Sequence, residues 1–518
     1  MRCIALPWFA AVSNLCRVLA AFCAIAPAAH AAARPQYGGV LRVELRAPAV
    51  NLHPARWKSG SPDFATNQRL GELLFDRLVA LDNYGRFQPQ LATEWSHDEG
   101  ARKWQFTLRP GVRFTDGSPL TPLDVVAALR AVLPPGMQAA AAAGGVAIQS
   151  NRPAGDLLEL LASGPFFVYK DSGGAVPRGT GPFVLESVSA SARDLEKAGE
   201  VMPFQTQRLS FRYNENCWSG RPYLDAIEVT LGIPPTRALL DLELGKADVG
   251  ELSTETARRA RQTNLKSWAS LPLTLYLLSI PADGKSETGQ RLREAIRLSV
   301  DRGAMAGVLL QKQAEPAASF LPQWLSGYAF LFDTESNLER AKELRGELPA
   351  SMAGATQPLR VAVEPGNDLA RLVAERVAVD ARRAGLTLQT VKGGAHAASD
   401  GMLPKNDNGA QLIAFRYTSL SPRSVLESLS GAVRWQSPAG TPPEPAEARY
   451  AWEKQMMERA NLLPLVGVPD FASADLSVRN WSPSPWGEWR LADVWLERNE
   501  ASRGSSGLAA KPAAGARQ

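Results

Sequence analysis

The sequence predicts an α/β fold made of several domain-sized units, and three observations support that prediction. The chain has 518 residues, of which 45% are hydrophobic and 21% are charged, which is the balance of a folded protein rather than a disordered or fibrous one. Single cores stop growing at roughly 250 to 300 residues, so this length indicates more than one unit. Segments with the alternating polarity of strands and segments with helical periodicity follow one another along the chain.

The N-terminal residues 1–31 are typical of a secretory signal peptide. Arg2 and Arg17 accompany an apolar stretch from 18 to 29, and Ala29-His30-Ala31 is a small-x-small cleavage site. The alternative is a transmembrane anchor, which needs ~20 consecutive apolar residues, and this stretch is shorter. We therefore expect export, cleavage and a periplasmic location.

Cysteine positions agree with export. Three of the four cysteines lie in the signal segment, so the mature chain keeps Cys217 alone and can form no internal disulfide. A lipid-modified cysteine normally follows a small residue, whereas Leu15 precedes Cys16 and Phe22 precedes Cys23. Lipid anchoring of the protein therefore stays open but is not favoured.

The first elements of the mature chain alternate between strands and helices. Apolar and polar residues alternate over 41–45, which predicts a half-buried strand, and the spacing of leucines predicts a helix over 64–79. We expect two short antiparallel strands at 104–108 and 112–114, because a Pro-Gly turn separates them. A threonine followed by a proline predicts the start of a helix over 122–132.

The middle of the chain is less regular. Residues 134–155 are rich in Ala, Gly and Pro and predict a loop with at most one weak strand. A Gly-rich turn at 179–183 leads into a strand, and residues 227–229 belong to another. A helix is predicted over 237–245, where Gly245 ends it.

The second half contains the clearest α/β unit. Residues 359–363 have the pattern of a strand, Asn367 or Asp368 can cap the following helix, and a second strand begins at Leu386. A strand, a helix and a strand in this order predict a parallel pair with a right-handed crossover. A longer helix is predicted before this unit, over 290–310.

Motifs for catalysis or metal binding are missing from the sequence. It has no G-x-S-x-G, H-E-x-x-H or P-loop pattern. His53, His97 and His396 remain after signal removal, and each is more typical of a solvated or locally hydrogen-bonded residue than of a catalytic one. Lys and Arg number 57 against 52 Asp and Glu, without a basic stripe, which argues against a nucleic-acid partner. We expect a protein that is not an enzyme, with no catalytic residues, metal or cofactor.

Ordered blocks in the first two thirds of the chain resemble one protein family. The blocks are FDRLVALDNYGRFQPQL (75–91), KWQFTLRPGVRFTDGSPLTPLDVVAAL (103–129), GTGPF (179–183), NENCWSGRPYLDAI (214–227) and LREAIRLSVDRGAM (292–305). Together they resemble solute-binding protein family 5, the extracytoplasmic peptide and nickel receptors of ABC importers. The blocks identify a scaffold and not a solute, since residues such as Trp104, Phe106 and Phe114 are more typical of a core than of ligand contacts.

The resemblance implies an α/β, two-lobed periplasmic-binding-protein-like fold with an extra domain inserted in the first lobe. The lobes of such receptors close on a ligand by hinge motion. The implied segments are 34–62, 179–280 and 482–500 for lobe I, 63–178 for the inserted domain and 281–481 for lobe II. The Gly-, Ala- and Ser-rich residues 501–518 predict a disordered tail.

The resemblance also implies where a ligand would be held. Family ligand contacts come from the loop after the first strand and from a second-lobe strand, facing each other across the groove. The implied ligand-binding residues are Leu52, His53 and Trp57 in the loop, and Phe415, Arg416, Tyr417 and Thr418 in the strand. The alternatives are a packing role for Trp57 and a solvated surface position for Arg416.

The second of these segments departs from the family pattern. Family members usually carry W-x-x-D-x-x-D-P there, and in peptide receptors its Asp pairs with the α-amino group of the peptide. This chain has FRYTSLSP over 415–422, without either acid. Without these acids, the α-ammonium group of a bound peptide would be buried and unpaired, at a cost of several kcal/mol. Arg416 would instead favour a carboxylate or a phosphate. We therefore expect a neutral or anionic ligand rather than a free N-terminal amine.

Two functions remain open at this point. The first is an extracytoplasmic solute-binding protein of an ABC-type importer, whose partners are a small solute or peptide and the ABC permease subunits in the membrane. We expect such a protein to be a monomer. The second is an exported scaffold or sensor that retains the fold without transport ligand binding. The ordered blocks lead us to expect the first. The missing acids and a short second lobe, in which residues 423–449 alone precede the late helix, are the observations that support the alternative.

Overall fold

A mixed sheet of eleven strands runs through the part of the chain that the computed structural model describes. The described residues are 34–58, 61, 63–174, 176–191, 206–280, 286–351, 358–393, 409–435 and 440–497. Residues Tyr37–Leu496 form one unit with a dense set of internal contacts, and the second unit consists of the terminal segments, of which residues 34–36 and 497 are described. The predicted signal peptide 1–31 and the predicted tail 501–518 lie outside the described residues.

The strands and helices confirm the predicted α/β class. The strands are β1 (Val40–Leu45), β2 (Val79–Leu81), β3 (Phe87–Pro89), β4 (Ala92–His97), β5 (Lys103–Leu108), β6 (Met137–Ala142), β7 (Gly145–Ser150), β8 (Phe183–Ser191), β9 (Thr206–Tyr213), β10 (Ala226–Leu231), β11 (Val249–Leu252), β12 (Lys266–Ser279), β13 (Glu315–Pro316), β14 (Leu359–Val363), β15 (Leu388–Lys392), β16 (Ala410–Arg416), β17 (Leu462–Ala474), β18 (Val478–Arg479) and β19 (Trp495–Leu496). The α-helices are α1 (Phe64–Leu74), α2 (Pro122–Arg130), α3 (Leu157–Leu161), α4 (Pro235–Glu243), α5 (Thr254–Ala260), α6 (Glu287–Ser299), α7 (Arg302–Ala304), α8 (Gln323–Ser326), α9 (Leu338–Gly346), α10 (Asp368–Arg383), α11 (Pro422–Ala432) and α12 (Ala446–Arg459).

Two long strands join the halves of the large sheet. The strand order is β15-β14-β16-β12-β17-β11-β1-β10-β9-β8, and β13 also pairs with β17. The beginning of β12 pairs with the end of β17, which also pairs with β11, whereas the later part of β12 pairs with both β16 and β17. The register of β12 against β17 shifts on both sides of Pro272, which faces Pro469. Neither proline has an N–H to donate, so the ladder is weakest at this point.

Several local predictions are confirmed in detail. Strands β14 and β15 are parallel and joined by α10, whose N-cap is Asn367. Helix α2 begins with a reciprocal cap, in which the Thr121 hydroxyl accepts the N–H of Asp124 and the Asp124 carboxylate accepts the N–H of Thr121. Such a cap satisfies two backbone donors that the helix itself leaves unpaired.

Three predictions about the elements are wrong. Residues 134–155 contain two paired strands, β6 and β7, because cross-strand hydrogen bonds hold even an alanine-rich segment when β5 provides a partner. Residues 112–114 form one isolated bridge, from Arg113 to Pro119, and the partners of β5 are β4 and β7 instead. The helix predicted over 290–310 is interrupted after Ser299, where the Asp301 side chain caps a new helical start by accepting the N–H of Ala304.

Buried apolar residues form four clusters around these elements. One packs on β1, β9 and β10, a second packs α10 and α6 against β14 and β12, and a third lies between β5, β7 and α2. The fourth lies between β16, α11 and α12 and includes Phe320 and Tyr328 from the segment after β13. The domain boundaries implied by the family resemblance stay a prediction.

Candidate functional site

The loop after β1 is part of the buried core. The indole Nε1 of Trp57 donates a hydrogen bond to the backbone oxygen of Asn51 at 2.6 Å, and its ring lies edge-on to Phe64 and Phe167. Leu52 is 5% exposed and belongs to the same cluster. The contacts of Trp57 are those of the packing alternative.

His53 is also buried, and its contacts are local. Its ring lies 5.0 Å from the ring of Tyr169, edge to face, and its Nε2 is 3.7 Å from the carboxylate of Asp171. Both partners precede β8, so His53 ties the loop after β1 to that region. No described contact joins His53 to the segment 415–418.

Arg416 is held in a buried ion cluster. Its guanidinium makes two hydrogen bonds to the carboxylate of Asp470, at 2.8 and 2.7 Å. Arg69 from α1 contacts the same carboxylate at 2.6 Å, and its Nη1 lies 3.4 Å from Glu251. Burial alone raises the pKa of Asp470, but the charges of Arg416 and Arg69 hold that pKa well below its ordinary value. We call these four residues, Arg69, Glu251, Arg416 and Asp470, the ion cluster.

The ion cluster supports a loop near the C-terminal end of the described chain. Gly487 accepts a hydrogen bond from Arg69 Nε at 3.3 Å on its backbone oxygen. Gly487 has φ +89°, and a Cβ there would lie 2.8 Å from Leu273 and 3.5 Å from the charged atoms of Arg416 and Asp470. The backbone of Gly487 therefore approaches Leu273 and the ion cluster as closely as only glycine allows. This contact positions the neighbouring residues Trp486 and Glu488.

A small cavity lies beside this loop. Its volume is about 20 Å³, which is room for about one water molecule. It is lined by Gln68, Ala162, Ser163, Leu273, Trp324, Tyr417, Thr418, Ser419, Leu420, Trp486 and Glu488. Of the residues that the sequence assigned to a ligand site, Tyr417 and Thr418 line this cavity, whereas Leu52, His53, Trp57, Phe415 and Arg416 are outside it.

Aromatic rings form one wall of the cavity. The rings of Trp324 and Trp486 have centroids 5.7 Å apart, and Tyr417 lies edge-on to Trp324 at 6.3 Å. The indole Nε1 of Trp324 is buried and has no hydrogen-bond partner among the described residues. An unpaired buried N–H is costly, so this donor favours an acceptor from outside the chain.

The charged groups around the cavity are already paired or neutral. Glu488 is the charged residue among those that line the cavity, and it accepts a hydrogen bond from Arg77 at 3.1 Å and lies 3.5 Å from Arg490. Burial, together with the nearby charge of Glu488, raises the pKa of Glu72 to about 8. Glu72 is therefore mostly uncharged at neutral pH.

A second set of polar contacts joins residues 152–156 to α11 and to the residues that flank this helix. Arg152 pairs with Glu427 at 2.7 Å, Glu444 accepts the N–H of Gly155 at 2.7 Å, and Arg423 donates to the backbone oxygen of Pro153 at 3.0 Å. Asp156 accepts the hydroxyl hydrogen bond of Ser421. We call these contacts between residues 152–156 and residues 421–444 the polar interface.

Sequence reasoning missed Trp324 and Trp486. Trp324 follows Pro322 in LPQWLSG, and Trp486 lies in SPSPWGEW. A tryptophan next to proline, serine and glycine can indicate a binding residue, because binding residues are common on the connecting segments of a rigid scaffold. That these two rings meet is not visible in the sequence, since they are distant along the chain.

Metal-binding groups and membrane-spanning helices are both absent from the described residues. Within the ranges that the structure describes, no three His, Cys, Asp or Glu side chains are grouped so that they could hold a metal ion. Among the helices described, none has the length and apolar character needed to cross a membrane.

Comparisons with known proteins agree with the fold. A family model described as bacterial extracellular solute-binding proteins, family 5, matches residues 86–436. The nickel-binding periplasmic protein of Escherichia coli (strain K12) is 25% identical over 368 residues, which is 63% of this chain and 67% of that protein.

Two solved structures are similar over most of the chain. The ABC transporter substrate-binding protein CtaP from Listeria monocytogenes has a TM-score of 0.71 at 16% identity and covers 89% of this chain and 100% of its own. The oligopeptide-binding protein AppA from Bacillus subtilis, in complex with a nonapeptide, has a TM-score of 0.69 at 16% identity and covers 90% of this chain and 100% of its own. These similarities confirm the predicted two-lobed fold.

Proposed function

The chain belongs to the bacterial extracellular solute-binding proteins of family 5, and from this we propose that it is an extracytoplasmic receptor that delivers a solute to an ABC-type permease. Members of this family bind peptides or small solutes and deliver them to ABC transporter permeases. Export by the predicted signal peptide and a periplasmic location are part of the proposal. The observation that carries it is the cavity between Trp324, Tyr417 and Trp486.

The position of the cavity supports a binding role. Its walls come from segments far apart in the chain, including α1, the end of β16 and the loop around Trp486. A site assembled from such segments changes volume when the segments move relative to one another. A volume of about 20 Å³ is too small for a peptide or a sugar, so a solute can enter only if the segments that line the cavity move apart.

The chemistry of the walls favours an uncharged solute. Arg416, which the sequence offers as an anchor for an anion, is engaged by Asp470, and Glu488 is engaged by Arg77. The groups left for a ligand include the aromatic faces, the side-chain amide of Gln68 and the unpaired Nε1 of Trp324, which can donate a hydrogen bond. We therefore propose a neutral solute that stacks on tryptophan and offers an oxygen acceptor.

A thermal-shift screen tests this function. The library contains free peptides, the same peptides with acetylated and amidated ends, amino acids, sugars and metal chelates. A ligand that binds the native state raises the melting temperature in a saturable way, and we expect this from uncharged members. Trp486→Ala should abolish the shift, while Trp95→Ala, which removes a half-buried tryptophan outside the cavity, should preserve it.

Two results would change the proposal. Stabilisation by free peptides but not by capped ones would show that a charged terminus, the ammonium or the carboxylate, is recognised, and that the neutral class is wrong. No stabilisation across the library, with the protein folded, would favour the exported scaffold or sensor. The small volume of the cavity is the observation that favours this second candidate.

A further inference from the structure

The segment Phe320–Tyr328 carries Trp324 on a short, well-defined turn. Helix α8 ends at Gly327, which adopts φ +74°. The Ser326 hydroxyl oxygen accepts the N–H groups of Tyr328 and Ala329 at 3.2 and 3.0 Å and donates to the Pro322 oxygen at 3.0 Å. These bonds make the turn internally rigid, so its position depends on how its two ends are attached.

One carboxylate attaches both ends. Glu453 lies on α12 and is 0% exposed. Its Oε1 accepts the N–H groups of Phe320 and Leu321, the latter at 3.3 Å, and its Oε2 accepts the hydroxyl of Tyr328 at 2.8 Å. The turn that carries Trp324 lies between these attachment points.

The same segment is bonded to the cavity wall. The Tyr417 hydroxyl donates to the Phe320 backbone oxygen at 2.8 Å, and Tyr417 lines the cavity beside Trp324. Phe320 is therefore held by Glu453 on its N–H and by Tyr417 on its oxygen. If Glu453 is altered, Phe320 and the turn that carries Trp324 lose a hydrogen-bond partner, and both contact the cavity wall.

We propose that Glu453 is a positioning residue of the solute site, which holds the Phe320–Tyr328 segment so that Trp324 faces Trp486 and Tyr417. This proposal rests on the proposed function, because Trp324 matters for binding only if the cavity is the solute site. Glu453 does not line the cavity, so it acts through the segment and not by touching the solute.

The surroundings of Glu453 make this role sensitive to pH. Burial raises the pKa of Glu453 from about 4.5 to about 7, against the hydrogen bonds from Tyr328, Phe320 and Leu321 and the charge of Arg449, which lower it. The titratable and charged groups that face it are Tyr328 on the segment, Tyr417 after β16 and Arg449 on α12. When the segment moves away, Glu453 is hydrated and its pKa returns towards the ordinary value.

The direction of the pH effect follows from these two pKa values. The carboxyl binds a proton more readily with the segment docked than with it detached, so protonation stabilises docking. The stabilisation is complete below the pKa of the detached carboxyl and is lost as the pH rises through about 7. Trp324 should therefore be held more firmly at pH 6 than at pH 8.

Fluorine NMR of the full chain labelled with 5-fluorotryptophan tests the proposal without any ligand. Trp324→Phe identifies the Trp324 resonance. In the wild-type protein we expect this resonance to move between pH 6 and pH 8. Glu453→Gln keeps an uncharged acceptor of the same shape, so we expect a docked resonance that no longer responds to pH. Glu447→Gln, on the exposed face of the same helix, is the matched control and should leave the wild-type titration unchanged.

Removal of the attachment gives the second readout. Glu453→Ala should shift the Trp324 resonance towards that of free 5-fluorotryptophan. If this variant does not fold, Tyr328→Phe, which deletes one hydrogen bond and no charge, should produce a smaller shift in the same direction. An unchanged Trp324 resonance in these variants, or a wild-type pH response in Glu453→Gln, would overturn the proposal. Failure of the solute screen would leave these spectra unaffected, so the two proposals fail separately.

Discussion

The ion cluster and the polar interface both join segments that are far apart in the chain, but they differ in burial. In the ion cluster the side chains of Arg416 and Asp470 are 16% and 12% exposed. In the polar interface the side chains of Arg152 and Glu427 are 27% and 28% exposed. The side chain of Arg423 in the polar interface is 7% exposed, so it is the Arg152–Glu427 pair that water and salt reach more easily than the ion cluster.

This difference assigns the two regions different roles. Removing one partner from a buried ion pair leaves the other charge without solvent, which costs several kcal/mol. Half-exposed pairs contribute little and are screened by salt. The ion cluster therefore contributes strongly to holding its segments together, whereas the Arg152–Glu427 pair contributes little to the contact between residues 152–156 and residues 421–444.

The largest expected effect is at the centre of the ion cluster. Asp470→Ala leaves Arg416 and Arg69 without their shared carboxylate, and we expect a loss of about 3–5 kcal/mol in the free energy of unfolding. Urea unfolding at pH 7 measures it. Asp493→Ala, at an exposed position, should change the same quantity by less than about 0.5 kcal/mol. Equal losses in both variants would contradict a special structural role for the carboxylate of Asp470.

A smaller loss is expected at Arg416, and here the structure changes the prediction made from the sequence. The sequence places Arg416 among the ligand-binding residues, as a group that favours an anionic solute. Because Arg416 is bonded to Asp470 and Arg69 remains as a second partner, we now expect destabilisation by about 1.5–3 kcal/mol. Calorimetry of the ligand-free protein checks this. If Arg416→Ala melts at the wild-type temperature, Arg416 is not needed for stability and is again a candidate for a ligand anchor.

Glu72 differs from Asp470 in the ion cluster, because its carboxyl group is buried without a cation bonded to it. Its pKa is raised to about 8, so the stability associated with its protonated form is present below the unfolded pKa and is lost as the pH rises through about 8. Glu72→Gln should therefore raise the melting temperature at pH 9 and change it little at pH 5. A gain of equal size at both pH values would contradict the assignment.

The smallest effect is expected at the polar interface. A double-mutant cycle on Arg152→Ala and Glu427→Ala should give a coupling energy of about 0.2–1 kcal/mol at low salt. The coupling should disappear in 1 M salt, where screening acts over about 3 Å. A coupling energy above about 2 kcal/mol that salt does not reduce would show that this interface is as permanent as the ion cluster.

Local sequence signals predicted local structure well. The cap at Thr121, the α/β unit around α10 and the family blocks are encoded by neighbouring residues, and each is present. Arg416 shows where such reasoning ends. Its partner Asp470 lies 54 residues later, in another strand, and nothing near Arg416 indicates that a carboxylate will meet it.

The candidate site was predicted in part, for a similar reason. Tyr417 and Thr418 line the cavity, but Trp57 and His53 are packing residues, because a buried aromatic ring in a core and one in a ligand site have the same sequence pattern. Trp324 and Trp486 were missed because the contact between them depends on how β16, α8 and the loop around Gly487 come together.

The pair of prolines at the register shift between β12 and β17 has a mechanical consequence. A two-stranded ribbon resists bending mainly through its ladder of backbone hydrogen bonds, and Pro272 and Pro469 face each other where neither can donate one. Flexing at this position stretches few bonds, while the paired stretches on either side remain intact. The ribbon therefore behaves as an elastic element with its compliance concentrated at a single point, and repeated cycles of bending there do not require any part of the sheet to unfold.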